Sequence, residues 1–222
     1  MNNQQTLISI DDYRKKLESA YVPPSRLILK DKLDERFGFF KGIGIKNVKE
    51  LIQLLKKRNK FEELSKVDCF SGDYLTILLR ELNSVLPKPH KISDFIGIAK
   101  NTIDCLKNIG ITNTEKLYNK VIKKSNRQKL AESTGLESQD ILVLTKLSDL
   151  SRIKWVGVTY AQMLYDLGVD TVEKVSGSDP IDLHAKINHM IKEKNIFKGA
   201  IGLNDVKILI ESAEDLPLEI EY

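Results

Sequence analysis

Two glycines separated by one apolar residue are the first candidate binding element of this chain. Gly42-Ile43-Gly44 is followed by Val48 and Leu51, four and seven positions after the second glycine. This spacing predicts a tight turn that opens into a helix, with Ile43 in the core and the two later residues on the buried stripe. The backbone N–H groups at this helix start would be unpaired and could bind an anion. They belong to Gly44, Ile45 and Lys46.

Lysine side chains accompany this turn and indicate which anion it could bind. Lys41 and Lys46 flank the glycines, and Lys49 lies in the first turn of the predicted helix. Backbone amides that converge beside cations bind phosphate in many proteins. We therefore predict a phosphate-binding hairpin, hairpin one, with the contact residues Lys41, Gly42, Gly44, Lys46 and Lys49.

The pattern of hairpin one recurs along the chain. Each copy has three residues with an apolar one in the middle, and apolar residues follow four and seven positions after the third. Hairpins one to six are Gly42-Ile43-Gly44, Cys69-Phe70-Ser71, Gly97-Ile98-Ala99, Gly135-Leu136-Glu137, Trp155-Val156-Gly157 and Ala200-Ile201-Gly202. A single copy is compatible with a purely structural turn, but six copies in one register predict a helical repeat.

Neighbouring side chains decide which hairpins suit a phosphate. Hairpins two and four contain or adjoin acidic residues, so we expect them to be structural, and Asp205 weakens hairpin six. Hairpin three begins its helix with Lys100 and Asn101, whereas hairpin five combines Lys154 with the bulky Trp155, which would hinder close approach. The further predicted contact residues are Gly97, Ala99, Lys100, Asn101, Lys154, Gly157 and Thr159.

Internal repetition also predicts the organisation of the chain. Residues 97–117 and 155–175 align without a gap, and in both a helix is predicted to end at a glycine, Gly110 or Gly168. No stretch shows sustained alternation of apolar and polar residues, so we predict an all-α fold. The predicted parts are an N-terminal helical arm (1–33) and three tandem units of two hairpins each (34–90, 91–147 and 148–222), the last with an acidic C-terminal tail. Pro87-Lys88-Pro89 is the predicted boundary after the first unit.

Charge is unevenly distributed. Residues 1–90 contain 17 Lys and Arg against 12 Asp and Glu, residues 91–147 contain 10 against 6, and residues 148–222 contain 8 against 13. Residues 1–147 therefore carry a net positive charge, which suits a polyanionic partner, although plain solubility explains the same distribution. Two basic clusters follow hairpins one and three, and they are Lys56-Lys57-Arg58-Asn59-Lys60 and the set Lys120, Lys123, Lys124, Arg127 and Lys129.

Hairpins one, three, five and six resemble the helix-hairpin-helix motif. Residues Ile153–Val175 look like the repeats of a bacterial family of uncharacterised proteins built from tandem helix-hairpin-helix modules. This resemblance, over residues 35–213, implies a fold similar to the SAM and helix-hairpin-helix domains. In that superfamily paired motifs bind DNA without sequence preference through hairpin amides, and related small domains mediate protein contacts. Ala99 replaces the second glycine of the motif, and Trp155 and Ala200 replace the first.

The sequence shows no recognisable catalytic arrangement. The histidines His90, His184 and His189 lack a metal-ligand pattern, and neither a P-loop nor a dinucleotide fingerprint is present. We therefore expect a protein that is not an enzyme and that uses neither cofactor nor metal. We also expect a cytoplasmic protein, since no membrane span or signal peptide is predicted and Cys69 and Cys105 fit buried, reduced thiols.

Two functions remain compatible with these observations. The first is sequence-nonspecific binding of DNA or RNA, in which hairpin amides and flanking lysines contact the phosphate backbone. The second is a protein–protein interaction or assembly scaffold of stacked helical hairpins that binds no nucleic acid, with residues 148–222 as the region for a protein partner. The two can coexist in one chain.

Overall fold

Helices make up the regular structure of this chain. The computed structural model describes residues 8–85 and 88–222, and in these ranges the prediction of an all-α fold is confirmed. The α-helices are α1 (Ile10–Ser19), α2 (Leu33–Gly42), α3 (Val48–Leu55), α4 (Arg58–Leu64), α5 (Gly72–Val85), α6 (Lys100–Asn108), α7 (Thr114–Val121), α8 (Lys124–Thr134), α9 (Ser138–Leu150), α10 (Val158–Asp166), α11 (Val172–Ser176), α12 (Pro180–Lys194) and α13 (Leu203–Glu214). Two 3-10 helices are Pro24–Lys30 and Ile92–Asp94.

The chain divides into two compact units, residues 1–86 and 87–222, which we call the N-terminal and the C-terminal unit. Helices α1 to α5 belong to the first and α6 to α13 to the second. Of the predicted boundary Pro87-Lys88-Pro89, Pro87 lies outside the described residues, as do residues 1–7 of the predicted arm. The finer division into an arm and three tandem units stays a prediction.

Aromatic rings fill the core of the N-terminal unit. Phe40 stacks on Phe70 with ring centroids 5.0 Å apart, and Phe70 stacks on Tyr74 at 5.8 Å. Arg36 lies over the Tyr74 ring at 3.8 Å, and its Nε donates to the Cys69 carbonyl at 2.7 Å, so this buried charge has partners. Helix α1 adds Ile10, Tyr13 and Leu17 to the same core.

The same turn joins two helices in three places. Gly44, Gly110 and Gly168 follow α2, α6 and α10 with φ of 87°, 80° and 76°, a left-handed conformation that favours glycine. In each turn the glycine N–H donates three residues back and the next N–H donates five residues back, which closes the helix C-terminus. The predicted helix ends at Gly110 and Gly168 are therefore confirmed. The following helices begin after the N-caps Asn47, Asn113 and Thr171, whose side chains accept from backbone N–H groups.

Helix α9 connects two clusters of buried side chains in the C-terminal unit. Its Ile141 and Leu144 pack in the cluster that contains residues of α6, α7 and α8, whereas Leu147 and Leu150 pack in the cluster formed with α10 to α13. All four side chains are at most 1% exposed. One helix therefore supports the turns that begin both α6 and α10.

Hydrogen bonds fix both ends of the C-terminal unit. At its start, Thr114 N–H donates to the His90 carbonyl at 2.8 Å, and Ile92 is buried. At its end, the Tyr222 hydroxyl donates to the buried carboxylate of Asp149 at 2.8 Å. The segment 215–222 makes three more contacts with α7, α8 and the loop between them, and these are Tyr118 to Glu219, Glu221 to Ile122 and Arg127 to Glu221.

Candidate nucleic-acid interface

Hairpin one differs from the sequence prediction. Its glycines close the C-terminus of α2, and α3 begins only at Val48. The prediction of unpaired N–H groups is wrong here, because all three are hydrogen-bonded. Gly44 donates to Lys41 O at 2.9 Å, Ile45 to Phe40 O at 3.0 Å and Lys46 to Glu50 Oε2 at 2.8 Å. Ile43 is 49% exposed, so the prediction that it lies in the core is also wrong.

A glutamate explains why the amides of hairpin one are occupied. Glu50 reaches back from the first turn of α3 to accept from Lys46 N–H, while Asn47 Oδ1 accepts from Glu50 N–H at 2.9 Å. This reciprocal pair satisfies helix-terminal donors as a capping box does, and it places negative charge at the helix start. Lys41 pairs with Asp11 at 2.9 Å, whereas the other two lysines of the hairpin are exposed. Hairpin one therefore offers lysine side chains to a ligand, but its amides are already bonded.

Hairpin three has the open helix start that hairpin one lacks. Gly97 has φ of 81°, and Ala99 is the N-cap of α6 without a side-chain acceptor. The first helical hydrogen bond runs from Ile103 N–H to the Ala99 carbonyl at 3.2 Å, so the three preceding N–H groups have no partner in the described part of the chain. The first turn contains no acidic residue, and Lys100 and Asn101 are exposed. The Thr102 hydroxyl of this turn donates to Asp140 Oδ2 at 3.2 Å, so one carboxylate of α9 lies near amides that otherwise have no partner among the described residues.

Hairpin five presents a second open helix start. Gly157 is the N-cap of α10, and its carbonyl accepts from Ala161 N–H at 2.9 Å. The first three N–H groups of α10 have no partner among the residues that the structure describes, and no acid lies in the first turn. Thr159 is exposed, and Lys154 Nζ lies 4.6 Å from the centroid of the Trp155 ring. A cation and free donors therefore occur together at this turn.

The predicted contact residues fall into two groups. Those of hairpin one lie in the N-terminal unit, and those of hairpins three and five lie in the C-terminal unit. Within the C-terminal unit, Phe95 and Ile98 of hairpin three pack on the cluster of buried residues that contains Val156 of hairpin five. The structure therefore supports these two hairpins on one core.

Acidic side chains occupy the helix starts of the other three hairpins. Asp205 accepts from Gly202 N–H at 3.3 Å at the start of α13, and Asp140 lies in the first turn of α9. At the start of α5, Ser71 Oγ accepts from Tyr74 N–H at 3.1 Å, and an aspartate lies in the first turn. Negative charge at a helix N-terminus disfavours a bound anion.

Sequence reasoning missed a third open helix start. Helix α8 follows Lys123 without a side-chain cap, and its first turn contains no acid. Lys123 and Lys124 are exposed there, but Arg127 is buried and donates to the Val121 carbonyl at 2.8 Å. Burial lowers the pKa of this guanidinium, which holds the chain together rather than facing a ligand. The sequence signal was the pair Lys123-Lys124 at the helix start, which places cations beside unpaired amides.

A cavity of about 200 Å³ lies beside hairpins five and six. Tyr160 is part of its wall and stacks with Phe197 at a centroid distance of 6.5 Å. Burial, followed by the nearby charge of Asp205, raises the pKa of Tyr160, so its hydroxyl stays protonated. Asn188 fixes Ile201 of the lining, since its side-chain amide accepts from the Ile201 N–H at 2.8 Å and donates to the Ile201 carbonyl at 2.9 Å. The lining residues are Lys154, Trp155, Val156, Tyr160, Ile201, Asp205 and Leu209.

Residues 8–85 and 88–222 contain neither a candidate membrane span nor a candidate metal site. No helix in these ranges is both long and apolar enough to cross a membrane. In the same ranges, no group of three or more His, Cys, Asp or Glu is placed to hold a metal ion. Both cysteines are free thiols, and Cys69 is buried whereas Cys105 is half-buried.

The C-terminal unit matches a known protein family. Residues 96–216 match the family described as Domain of unknown function (DUF4332), which is more than half of the chain. The matched range contains hairpins three to six and helices α6 to α13. No curated protein and no solved structure matches the chain.

Proposed function

The chain belongs to the family of the domain of unknown function DUF4332, and we propose that it binds nucleic acid without sequence preference. The open starts of α6 and α10 each contact a backbone phosphate through main-chain amides, with Lys100 and Lys154 beside them. The observation that carries this proposal is the contrast between helix starts. These two lack both a capping side chain and a first-turn acid, whereas those of the other predicted hairpins carry acids.

Two physical effects favour a phosphate at such a helix start. The unpaired N–H groups donate directly to the phosphate, and the aligned peptide dipoles place roughly half a positive elementary charge at the helix N-terminus. One exposed helix terminus contributes only about 0.3–1 kcal/mol with an anion, so several contacts must act together. The exposed lysines of hairpin one and of the α8 start, Lys46, Lys49, Lys123 and Lys124, supply further contacts. Amides and lysines contact phosphates rather than base edges, which makes the binding nonspecific.

We also propose that the helices form tandem helix-hairpin-helix units. The support is a recurring order of four helices, α2 to α5, α6 to α9 and α10 to α13. In each set, the first two helices are joined by the same left-handed glycine turn, at Gly44, Gly110 and Gly168. The third and fourth helices of each set are joined at hairpin two, four or six.

A salt titration tests the proposed function. Binding of a labelled DNA or RNA to the full chain is followed by fluorescence anisotropy from low to moderate salt. We expect affinity to fall steeply with salt, and Lys100→Glu to weaken binding and reduce the slope of log K against log salt by about one unit. Lys186→Glu is the matched control, because Lys186 pairs with Asp182 on α12 and carries the same charge change. Salt-independent binding, or equal effects of the two variants, would contradict the proposal.

A protein partner is the second candidate function. It is favoured by apolar side chains that residues 148–222 leave exposed, with Ile181 at 67% and Phe197 at 37%. Light scattering after size exclusion tests it, since a scaffold should form an oligomer that Ile181→Asp weakens. A monomer at all concentrations that retains no partner protein would remove this support.

A further inference from the structure

Trp155 occupies a backbone position that normally favours glycine. Its φ is 66°, in the left-handed region, and Gly97 takes φ of 81° at the corresponding position of hairpin three. A bulky residue in this conformation costs about 1–2 kcal/mol per residue relative to the right-handed one. Complete burial of the indole does not offset this conformational cost, because Trp155 is 40% exposed.

The exposed indole borders the cavity beside hairpins five and six. The apolar lining comes from Val156, Ile201 and Leu209, and the Tyr160 ring adds a second aromatic surface. The two charged residues of the lining are Lys154 and Asp205. A flat aromatic group with a polar edge therefore finds an apolar surface and a carboxylate acceptor in a cavity that is partly open to solvent.

The open start of α10 adjoins this cavity, since Val156 and Tyr160 of the lining flank the N-cap Gly157. A ligand that joins an aromatic ring to a phosphate can therefore occupy both at once. The carboxylate of Asp205 repels a phosphate, so the phosphate belongs at the α10 amides and the ring belongs in the cavity. The exocyclic amino group of a base can donate to this carboxylate.

We propose that the cavity binds one unstacked base of a single-stranded nucleic acid, with its phosphate at the α10 start. This inference rests on the proposed function and names the form of nucleic acid that hairpin five binds. Bases inside a duplex are stacked on their neighbours, whereas bases in single strands stack freely on aromatic side chains. Hairpin three, with Gly97 in place of the indole, contacts the backbone alone.

The fluorescence of Trp155 reports on this site directly, because the chain contains a single tryptophan. Four probes are titrated into the full chain, and binding is followed in parallel by anisotropy of a labelled copy. The probes are a single-stranded oligonucleotide, an abasic oligonucleotide of equal charge, a duplex of the same length and a mononucleotide. We expect quenching by the single strand and little quenching by the abasic strand or the duplex. If the mononucleotide quenches the fluorescence and binds as tightly as the single strand, the cavity binds free nucleotides, and the proposal of a site for a base within a polymer is overturned.

Two variants separate the indole from the rest of the hairpin. Trp155→Gly removes the ring and places glycine in its preferred conformation, as at Gly97, so this variant should fold. We expect its affinity for single strands to fall about 5- to 150-fold, the range for loss of one stacked base, and its affinity for duplex to stay the same. Trp155→Phe should restore part of the loss. Ile96→Ala is the control, since Ile96 is 73% exposed and does not line the cavity.

The outcomes separate this inference from the proposed function. If none of the four probes binds, both the base site and the proposed function are overturned. Salt-dependent binding of all polymers, without quenching and with equal affinity for base-bearing and abasic strands, overturns only the base site. If Trp155→Gly weakens single-strand and duplex binding equally, only the base site is overturned, because the indole would then support the hairpin rather than contact a base.

Discussion

Ala99→Asp separates helix stability from anion binding at the start of α6. Ala99 is exposed and has φ of −60° and ψ of 139°, the extended conformation in which an N-cap side chain can accept from the first turn. Replacing alanine by a good N-cap residue stabilises a helix by about 0.5–2 kcal/mol. The new carboxylate also interacts favourably with the helix dipole, by about 0.3–1 kcal/mol. We therefore expect the C-terminal unit to become about 1–2 kcal/mol more stable.

The same substitution should weaken nucleic-acid binding. The aspartate occupies amides that the phosphate would use, so one helix–anion interaction of about 0.3–1 kcal/mol is lost and repulsion is added. This corresponds to at least about a two- to fivefold loss of affinity at low salt. Gly157→Asp should act in the same way at α10, because a Cβ at Gly157 meets no atom within 4 Å. The double variant should then weaken binding by roughly the product of the single effects.

Stability and affinity are measured on the same protein samples. Urea unfolding is followed by the fluorescence of Trp155, which lies in the C-terminal unit, and binding is followed by anisotropy. Asn113→Asp is the matched control, because it introduces the same charge in the same unit, at the start of α7, which already has a side-chain cap. A variant that gains stability but binds as tightly as the wild type would refute the role of the α6 amides. A loss of stability would refute the cap geometry itself.

Two further predictions concern the C-terminal unit. Gly110→Ala should destabilise it by about 1–2 kcal/mol in urea unfolding, because φ is 80° there, whereas Gly157→Ala at φ −85° should be nearly neutral. The second concerns Asp170, where burial raises the pKa but hydrogen bonds and charge from Lys146 and Lys174 outweigh it and hold the pKa below its usual value. Because the folded pKa is the lower one, this carboxylate stabilises the fold above about pH 4, and the contribution is lost as pH falls through the folded pKa. Asp170→Asn should flatten the acid limb of the stability profile, and an unchanged limb would contradict this assignment.

Periodicity in the sequence predicted the fold class because it reflects local packing. Apolar residues at helical spacing define buried stripes, and Val48 and Leu51 are buried as predicted. Gly110 and Gly168 were recognised as helix ends because the αL position after a helix favours glycine. The same signal was available at Gly44, which precedes Ile45-Lys46-Asn47 as Gly110 precedes Ile111-Thr112-Asn113.

The role of hairpin one was predicted wrongly because two signals overlap there. The spacing from Gly44 to Val48 and Leu51 fits a helix that starts at the glycine and also one that starts after Asn47. The second is realised, since Asn47 caps the helix and Glu50 takes up the amide of Lys46. Such reciprocal side-chain contacts depend on rotamers and not on residue spacing alone.

The left-handed backbone of Trp155 could not be predicted from sequence. Bulky residues rarely adopt it, so the expectation was only that the side chain hinders approach to a phosphate. The conformation arises where Val156 N–H donates to the Ile153 carbonyl at 3.0 Å and both side chains are buried. Whether hairpins one, three and five bind nucleic acid stays a prediction that the experiments above address.

The packing of the C-terminal unit extends past the limits of its family similarity. The match spans residues 96–216, yet Ile92 and Phe95 are buried before it and Tyr222 bonds to Asp149 after it. A fragment trimmed to the matched range would lose the buried Ile92 and Phe95 at one end. At the other end Asp149 would keep its pair with Arg152 but lose the hydrogen bond from the Tyr222 hydroxyl. Fragments prepared for crystallisation or NMR should therefore run from residue 88 to residue 222.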